Sequence, residues 1–358
     1  MFAALIALVG YGLWAVDGVT RHDVAGDPEY YIYRQLVFAV IGSLGMIGVL
    51  FVDPEYYRRY RKVLYAGLIF LLLLVMAMGT DARGSTRWIS LGFFQFQPSE
   101  FGKLLLAIVL AGVLATRGRR IGEWRTVAVA VGVAALPTLL VFMQPDIGTA
   151  LVYGAILAAT LFFAGARWRH LGILAAVAVL VGTVVLWLAP ALGIDILAPY
   201  QRARITAFLH PSDNPQGAAY NINQSITAVG SGGSTGRGVA GATQTNLDYL
   251  PEHHTDFVFA SIAEQRGFVG ASVLLLLYLL VIWRGVRVIA TARDPFCATV
   301  AGAIVFALLF QIFVNVGMTI GIAPITGIPL PFVSVGGSAM VTNLIAIGVL
   351  QAIAMRRR

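Results

Sequence analysis

Ionisable residues in this sequence gather at a few points along otherwise apolar stretches. Gln97-Pro98-Ser99-Glu100-Phe101-Gly102-Lys103 opens one such stretch, with an acid and a base three positions apart on one helix face. Leu250-Pro251-Glu252-His253-His254-Thr255-Asp256-Phe257 leads into another, and Glu264 follows Asp256 by just over two helical turns. Gln144-Pro145-Asp146 forms a very short link between two more. Arg83-Gly84-Ser85-Thr86-Arg87-Trp88 offers two guanidiniums beside an aromatic ring. Guanidinium forks suit phosphates. An acid deep on a membrane helix is a functional candidate by default.

Each feature also has a plain structural account. Glu100 and Lys103 suit a helix start whose charges reach the interface. Asp146 suits a cap for the helix after it, as Thr255 or Asp256 do for the next one. Trp88 and its neighbours suit an aromatic belt. Energetics separates the accounts for the pair. A charge at mid-bilayer costs roughly 2.5–3.5 kcal/mol, and an exposed i,i+3 ion pair returns only about 0.2–0.5 kcal/mol.

Other motifs weigh less. His253 and His254 are adjacent and lack the His-x-x-x-His spacing of a helical zinc site, which argues against a metal. Residues 236–241 fit G-x-G-x-x-G, but no βαβ pattern surrounds them, so dinucleotide binding is not expected. The glycine-rich run 230–241 suits either a flexible linker or a close backbone approach. Residues 315–343 carry Pro324, Pro329 and Pro331, then Ser334-Val335-Gly336-Gly337-Ser338. This reads as a broken, re-entrant link, which at membrane depth needs protein or water around it.

The elements that must hold these residues follow from composition. The chain has 358 residues, 58% hydrophobic and 12% charged. Soluble domains carry about 25% charged residues, so a soluble fold is excluded. The single cysteine, Cys297, excludes an intramolecular disulfide and a Cys-based zinc site. A membrane helix needs roughly 20 apolar residues. Spans are expected near 2–16, 33–51, 63–79, 99–116, 126–143, 147–165, 170–189, 257–283, 297–320 and 332–355. The first lacks the preceding basic residue of a signal peptide and reads as a retained helix.

The expectation is therefore an all-α polytopic membrane protein of about ten transmembrane helices, residues 1–358 forming a single domain. The net charge of +8 reflects topology rather than nucleic-acid binding. Lys and Arg cluster in one set of short loops, at Arg58, Arg59, Arg61 and Lys62, at Arg117, Arg119, Arg120 and Arg125, at Arg167 and Arg169, at Arg284, Arg287 and Arg293, and in the 356–358 tail. The opposite side carries half as many over longer loops. The positive-inside rule puts both termini in the cytoplasm. An extracytoplasmic loop at about 190–256 then joins helices seven and eight, and is expected to form short amphipathic helices. A connection so long is usually functional or disordered.

Taken together and in this order, the motifs resemble the SEDS family of bacterial shape, elongation, division and sporulation proteins, and its elongation branch most. The likeness rests on Arg83-Gly-Ser-x-Arg87-Trp88, Gln97-Pro-Ser-Glu100 with Lys103, Gln144-Pro-Asp146-x-Gly-Thr, Leu250-Pro-Glu-x-His-Thr-Asp256-Phe, and 315–343. Val335 and Gln265 depart from the family's usual residues. The resemblance implies a peptidoglycan glycosyltransferase of the bacterial cell (inner) membrane, its active site facing outside. It implies lipid II as substrate and a class B penicillin-binding protein as partner, with membrane lipids around it.

Such a reaction sends an acceptor sugar hydroxyl to the anomeric carbon of a diphosphate-linked donor, with inversion. Diphosphate is a stable anion, so the site needs a base and a positive clamp rather than a strong acid. Asp256 is the expected base. Lys103 and Arg87, with Arg83 or Arg202, are expected to clamp the diphosphate. Glu100, Asp146 and Glu264 are expected to position Lys103 or, with Asp256, to ligate Mg2+ or Mn2+, which prefer oxygen donors. Two other functions are open at this level. A lipid II flippase would need polar groups through the whole membrane, whereas here they concentrate in the outer half. A non-catalytic scaffold leaves Glu100, Lys103 and Asp256 without a role.

Overall fold

The computed structural model describes residues 1–24, 26–82, 85–92, 94–194, 196–209 and 217–356. Among these, nine helices are long and apolar enough to cross a membrane, and Ile147–Phe163 adds a shorter tenth. The chain runs through α1 (Phe2–Val19), α2 (Tyr30–Leu50), α3 (Pro54–Arg59), α4 (Arg61–Met78), α5 (Pro98–Ala115), α6 (Trp124–Met143), α7 (Ile147–Phe163) and α8 (Trp168–Thr183). A π-turn, Val184–Leu188, extends α8 into α9 (Ala189–Ala191). Next come α10 (Pro199–Leu209), α11 (Ala218–Ser231), α12 (Gly238–Gly241) and α13 (Thr243–Asn246), and finally α14 (Val258–Ala290), α15 (Pro295–Thr319) and α16 (Gly337–Met355).

The starts of these helices follow from local chemistry. Pro54, Pro98 and Pro295 occupy first-turn positions, where the missing N–H costs nothing. Asp53, Asp146 and Asp294 cap their helices by accepting from Glu55 N, Thr149 N and Cys297 N. The last span begins at Gly337 rather than near 332, because Pro329, Pro331 and a positive φ of 67° at Phe332 hold the chain out of helix. Added to the expected helices is a small antiparallel sheet of β1 (Thr80–Ala82), β2 (Ser85–Leu91) and β3 (Phe94–Phe96), in which Ile89 faces Phe96 and Ser90 faces Gln95.

Two apolar clusters fill the interior. One joins α1, α2, α5, α14, α15 and α16, and the other joins α4 to α7 with α15. Helices α5 and α15 contribute to both and so form the wall between them. The irregular link 320–336 is packed inside, with Ile328, Leu330, Phe332 and Val333 buried.

The long connection is indeed built of short helices, α10 to α13. Its glycine-rich run is a close backbone contact, not a free linker. Phe268 N donates to Gly233 O and Arg237 N to Glu264 O. A Cβ at Gly267, where φ is +66°, would fall 2.3 Å from Gly236 N. Only glycine lets these two backbones meet. Gly267 also kinks α14, and the stretch 268–290 beyond it suffices for a membrane crossing.

Candidate active site

On the face of the long connection lies a cavity of about 810 Å3. Its walls include Arg87 and Trp88 from β2, Glu100 from α5, Asp146 at the start of α7, Arg204 from α10, and Asp256. Residues distant in sequence thus meet around one volume.

Asp256 sits in the turn before α14, not within the helix. The turn is closed by Thr255 N, Asp256 N and Phe257 N, which all donate to Glu252 O. The helix cap is Phe257, so neither Thr255 nor Asp256 serves as the N-cap. The turn is held from behind. Asn315 Nδ2 donates to Asp256 O at 2.9 Å and to Ile328 O at 2.8 Å, while Ser334 Oγ donates to Thr255 O at 2.6 Å. The broken link and α15 therefore fix where Asp256 stands.

Arg204 Nη1 and Asp256 Oδ2 both approach Gly327, lying 3.3 and 3.6 Å from where its Cβ would be. A cation and the candidate base thus flank one point on the cavity wall. Arg204 was not expected from sequence. Arg202 was, but it does not line the cavity and is exposed on α10. Two residues along a helix turn the side chain by about 200°, so only one of the pair faces inward. The signal that selects Arg204 is Tyr200 four residues earlier. Tyr200 lines the same cavity, and Arg204 lies over its ring at 5.8 Å.

Asp146 satisfies both sequence accounts. It caps α7 through Thr149 N and Thr149 Oγ1, and it lines the cavity. Gln97 Nε2 donates to it at 3.3 Å, and Arg87 Nη1 lies 3.8 Å away. Arg87 itself donates to Gln144 O, Pro145 O and the Tyr200 hydroxyl. The Gln144-Pro145-Asp146 hairpin, the sheet and α10 are thereby locked together.

Lys103 lies beneath the cavity rather than in it. Its ammonium meets Glu100 Oε2 at 2.7 Å and donates to Gln311 Oε1 at 2.7 Å. It lines a separate void of about 20 Å3 with Thr342 and Asn343. Glu100 is the member of the pair that reaches the main cavity. The expectation that Lys103 contacts the diphosphate directly is corrected accordingly.

Glu264 is corrected as well. It is fully buried and accepts from Gln244 N, Thr245 N and Thr245 Oγ1 at 2.8–3.0 Å. The two-turn register with Asp256 fails because the helix begins only at Val258. Glu264 instead anchors the long connection onto α14. Arg83 lies outside the described residues.

At the cavity rim, Asp23 meets both histidines. His253 Nε2 lies 2.9 Å from Asp23 Oδ1, and His254 packs against Tyr31 with ring centroids 4.7 Å apart. Burial alone would raise the Asp23 carboxyl, but the two histidines outweigh it and hold the group well below the usual carboxylate range. Burial alone would lower His253, and Asp23 outweighs that, raising it.

The acids of the main cavity fit a hard divalent ion only in part. Glu100 and Asp146 each already face a cation. Among the described residues, Glu100, Asp146 and Asp256 do not converge on one point. Mg2+ commonly takes one or two carboxylates and completes its shell with substrate phosphates, and that arrangement is the one compatible with this cavity.

A family model described as "Cell cycle protein" (FtsW, RodA, SpoVE) matches residues 1–358. The chain is 36% identical to "Peptidoglycan glycosyltransferase MrdB" of Escherichia coli over 358 residues, covering 100% of this chain and 93% of the relative. It is 38% identical to "Stage V sporulation protein E" of Bacillus subtilis over 327 residues, covering 90% and 87%. A chain solved in a peptidoglycan synthase complex, in work on the coordination of polymerization and crosslinking, matches with a TM-score of 0.82 at 30% identity, covering 99% of this chain and 97% of that one. The rod shape determining protein RodA of Thermus thermophilus matches with a TM-score of 0.72 at 26% identity, covering 99% and 96%. As its motifs implied, the chain belongs to the FtsW/RodA/SpoVE family of cell cycle proteins, the SEDS family.

Proposed function

We infer that this multi-pass membrane protein is a peptidoglycan glycosyltransferase that polymerises lipid II. Family membership over its whole length supports the activity, as do relatives named for it. The observation that carries the chemical reading is the single cavity joining Asp256 to Arg87 and Arg204.

In this reading the acceptor's 4-hydroxyl attacks the donor's anomeric carbon from the face opposite the diphosphate. The new carbon–oxygen bond forms as the carbon–phosphate-oxygen bond breaks. The hydroxyl proton passes to the Asp256 carboxylate, and undecaprenyl diphosphate leaves as an anion. Arg87 and Arg204 offset its charge. Lys103 acts from below by holding Glu100, a positioning role. A pocket of about 70 Å3 shares Arg87, Tyr200 and Arg204 and is otherwise largely apolar, which suits the start of the lipid chain. Mg2+ or Mn2+, held by one cavity carboxylate and the donor, would neutralise further diphosphate charge.

Residues 1–358 work as one domain in this reading, since α5 and α15 belong to both apolar clusters. The basic loops lie between the spans on the side away from the long connection, which supports cytoplasmic termini and a cavity facing outward from the inner membrane. A class B penicillin-binding protein is the proposed partner, crosslinking the peptides of the new strand.

The test is lipid II polymerisation by the purified protein with a partner that has no glycosyltransferase domain. Wild type should make glycan strands. Asp256→Asn should lose about 10²–10⁴-fold in rate, and EDTA should lower the wild-type rate if the divalent ion is used. Polymer made by Asp256→Asn at the wild-type rate would overturn the base assignment. Well-folded wild type that scrambles lipid II without making strands would replace the enzyme by a flippase.

A further inference from the structure

Asp23 lies in the link between α1 and α2, and His253 and His254 lie in the link before α14. One donor atom from each falls within 4.8 Å of the others. Among the described residues, this is the one group of three His, Cys, Asp or Glu side chains so placed. The side chains of Asp23 and His253 are only 8% and 5% exposed.

The tautomer of His253 follows from its surroundings. Its Nδ1 lies 3.2 Å from the Leu250 carbonyl oxygen. A carbonyl only accepts, so Nδ1 carries the proton. Nε2 then aims at Asp23 Oδ1 from 2.9 Å. Two lone pairs repel at that separation, so a positive charge lies between them, either a second proton or a metal ion. The other half of the cluster separates these cases. Asp23 Oδ2 and His254 Nδ1 are 3.2 Å apart and buried, yet they lack the alignment of a well-formed hydrogen bond. A shared proton favours a straight donor–acceptor line. Two ligands of one ion meet it at an angle. With bonds of about 2.0–2.1 Å, such ligands sit roughly 2.9–3.4 Å apart.

We propose that Asp23, His253 and His254 form a binding site for a divalent transition-metal ion of the zinc type. The site is distinct from any Mg2+ or Mn2+ shared with substrate phosphates. Two imidazoles and one carboxylate suit zinc, whereas Mg2+ takes oxygen donors. The Leu250 carbonyl supplies the outer hydrogen bond that orients a metal-bound histidine. The site needs no His-x-x-x-His spacing, because its third ligand comes from 230 positions away. Its role is mechanical. It fastens the α1–α2 link to the segment ending at Asp256, and His254 lines the cavity.

The test uses untagged full-length protein in detergent, stripped with EDTA and then dialysed against micromolar Zn2+. Bound metal is counted by mass spectrometry, and thermal unfolding is followed in parallel. Wild type should hold one zinc per chain and melt higher with zinc than without. Asp23→Asn and His253→Gln should bind at least about tenfold more weakly and lose the shift. Asp256→Asn should keep both the zinc and the shift, which separates this site from the proposed catalytic one. Excess Mg2+ should not displace the zinc. Well-folded wild type without zinc, or equal binding by both variants, overturns the proposal in favour of an imidazolium–carboxylate pair. If neither variant folds, X-ray absorption of zinc-loaded wild type decides. Two imidazole nitrogens at about 2.0 Å support the site, and a shell without imidazole overturns it.

Discussion

Helices α5 and α8 are both apolar and of similar length, yet they occupy opposite surroundings. In α5, 78% of the residues are buried against protein. In the span that α8 begins, the most apolar of the nine, no residue of the central stretch is buried. The span with the strongest membrane signature is therefore the one that touches the rest of the molecule least. Lipid is as good a solvent as protein for the side chains of α8. Glu100 and Lys103 of α5 have no such choice. They need each other and Gln311, and only protein supplies those partners. Polarity within a span thus marks the inside of this bundle, and apolarity marks its outside.

The largest test of that contrast is chemical. Asp256→Asn, at the cavity the buried helices enclose, should lower polymerisation about 10²–10⁴-fold and leave the melting temperature unchanged. Next comes Lys103→Met. It strands a buried Glu100 and should cost about 3–5 kcal/mol, read as a lower melting temperature in detergent. Adding Glu100→Gln should recover most of the loss. A single-variant cost below about 1 kcal/mol would mean that the pair behaves as a solvated one.

Two glycine substitutions sharpen the comparison at smaller scale. Gly267→Ala forces a side chain onto the Gly236 backbone at positive φ and should cost about 1–3 kcal/mol. Gly172→Ala in α8 meets nothing within 4 Å. It should stabilise by up to about 1 kcal/mol through helix propensity alone. A clear loss at Gly172 would show that α8 packs against a partner.

The spans were legible because the length needed to cross a bilayer and the cost of exposing charge within it are written in composition. The short helices of the long connection and the place of Asp146 on the cavity wall were legible for similar reasons. Asp146 both caps and faces the cavity, since a helix start on that face points its first turn inward. A helical wheel misleads where it is extended past a helix end. The alignment of Glu264 with Asp256 crosses such a boundary at Val258. Sequence does not separate Arg202 from Arg204, because it shows neither where α10 begins nor which of its faces docks. Lys103 lies deeper than Glu100 on the same face, and a wheel gives direction around an axis but not depth along it.

By itself, then, the sequence determined an all-α polytopic membrane protein, its family, and the carboxylate and guanidinium segments that line one cavity. These follow from local composition and motif order, which need no knowledge of what lies across the fold. The tertiary structure alone decided which charges share the cavity and which merely hold it. Arg204 joined Asp256 beside Gly327, Glu264 went to the first amides of α13, and Asp23 reached the two histidines. Each of those outcomes depends on the packing of segments far apart in the chain, and periodicity along one segment carries no information about its distant neighbours.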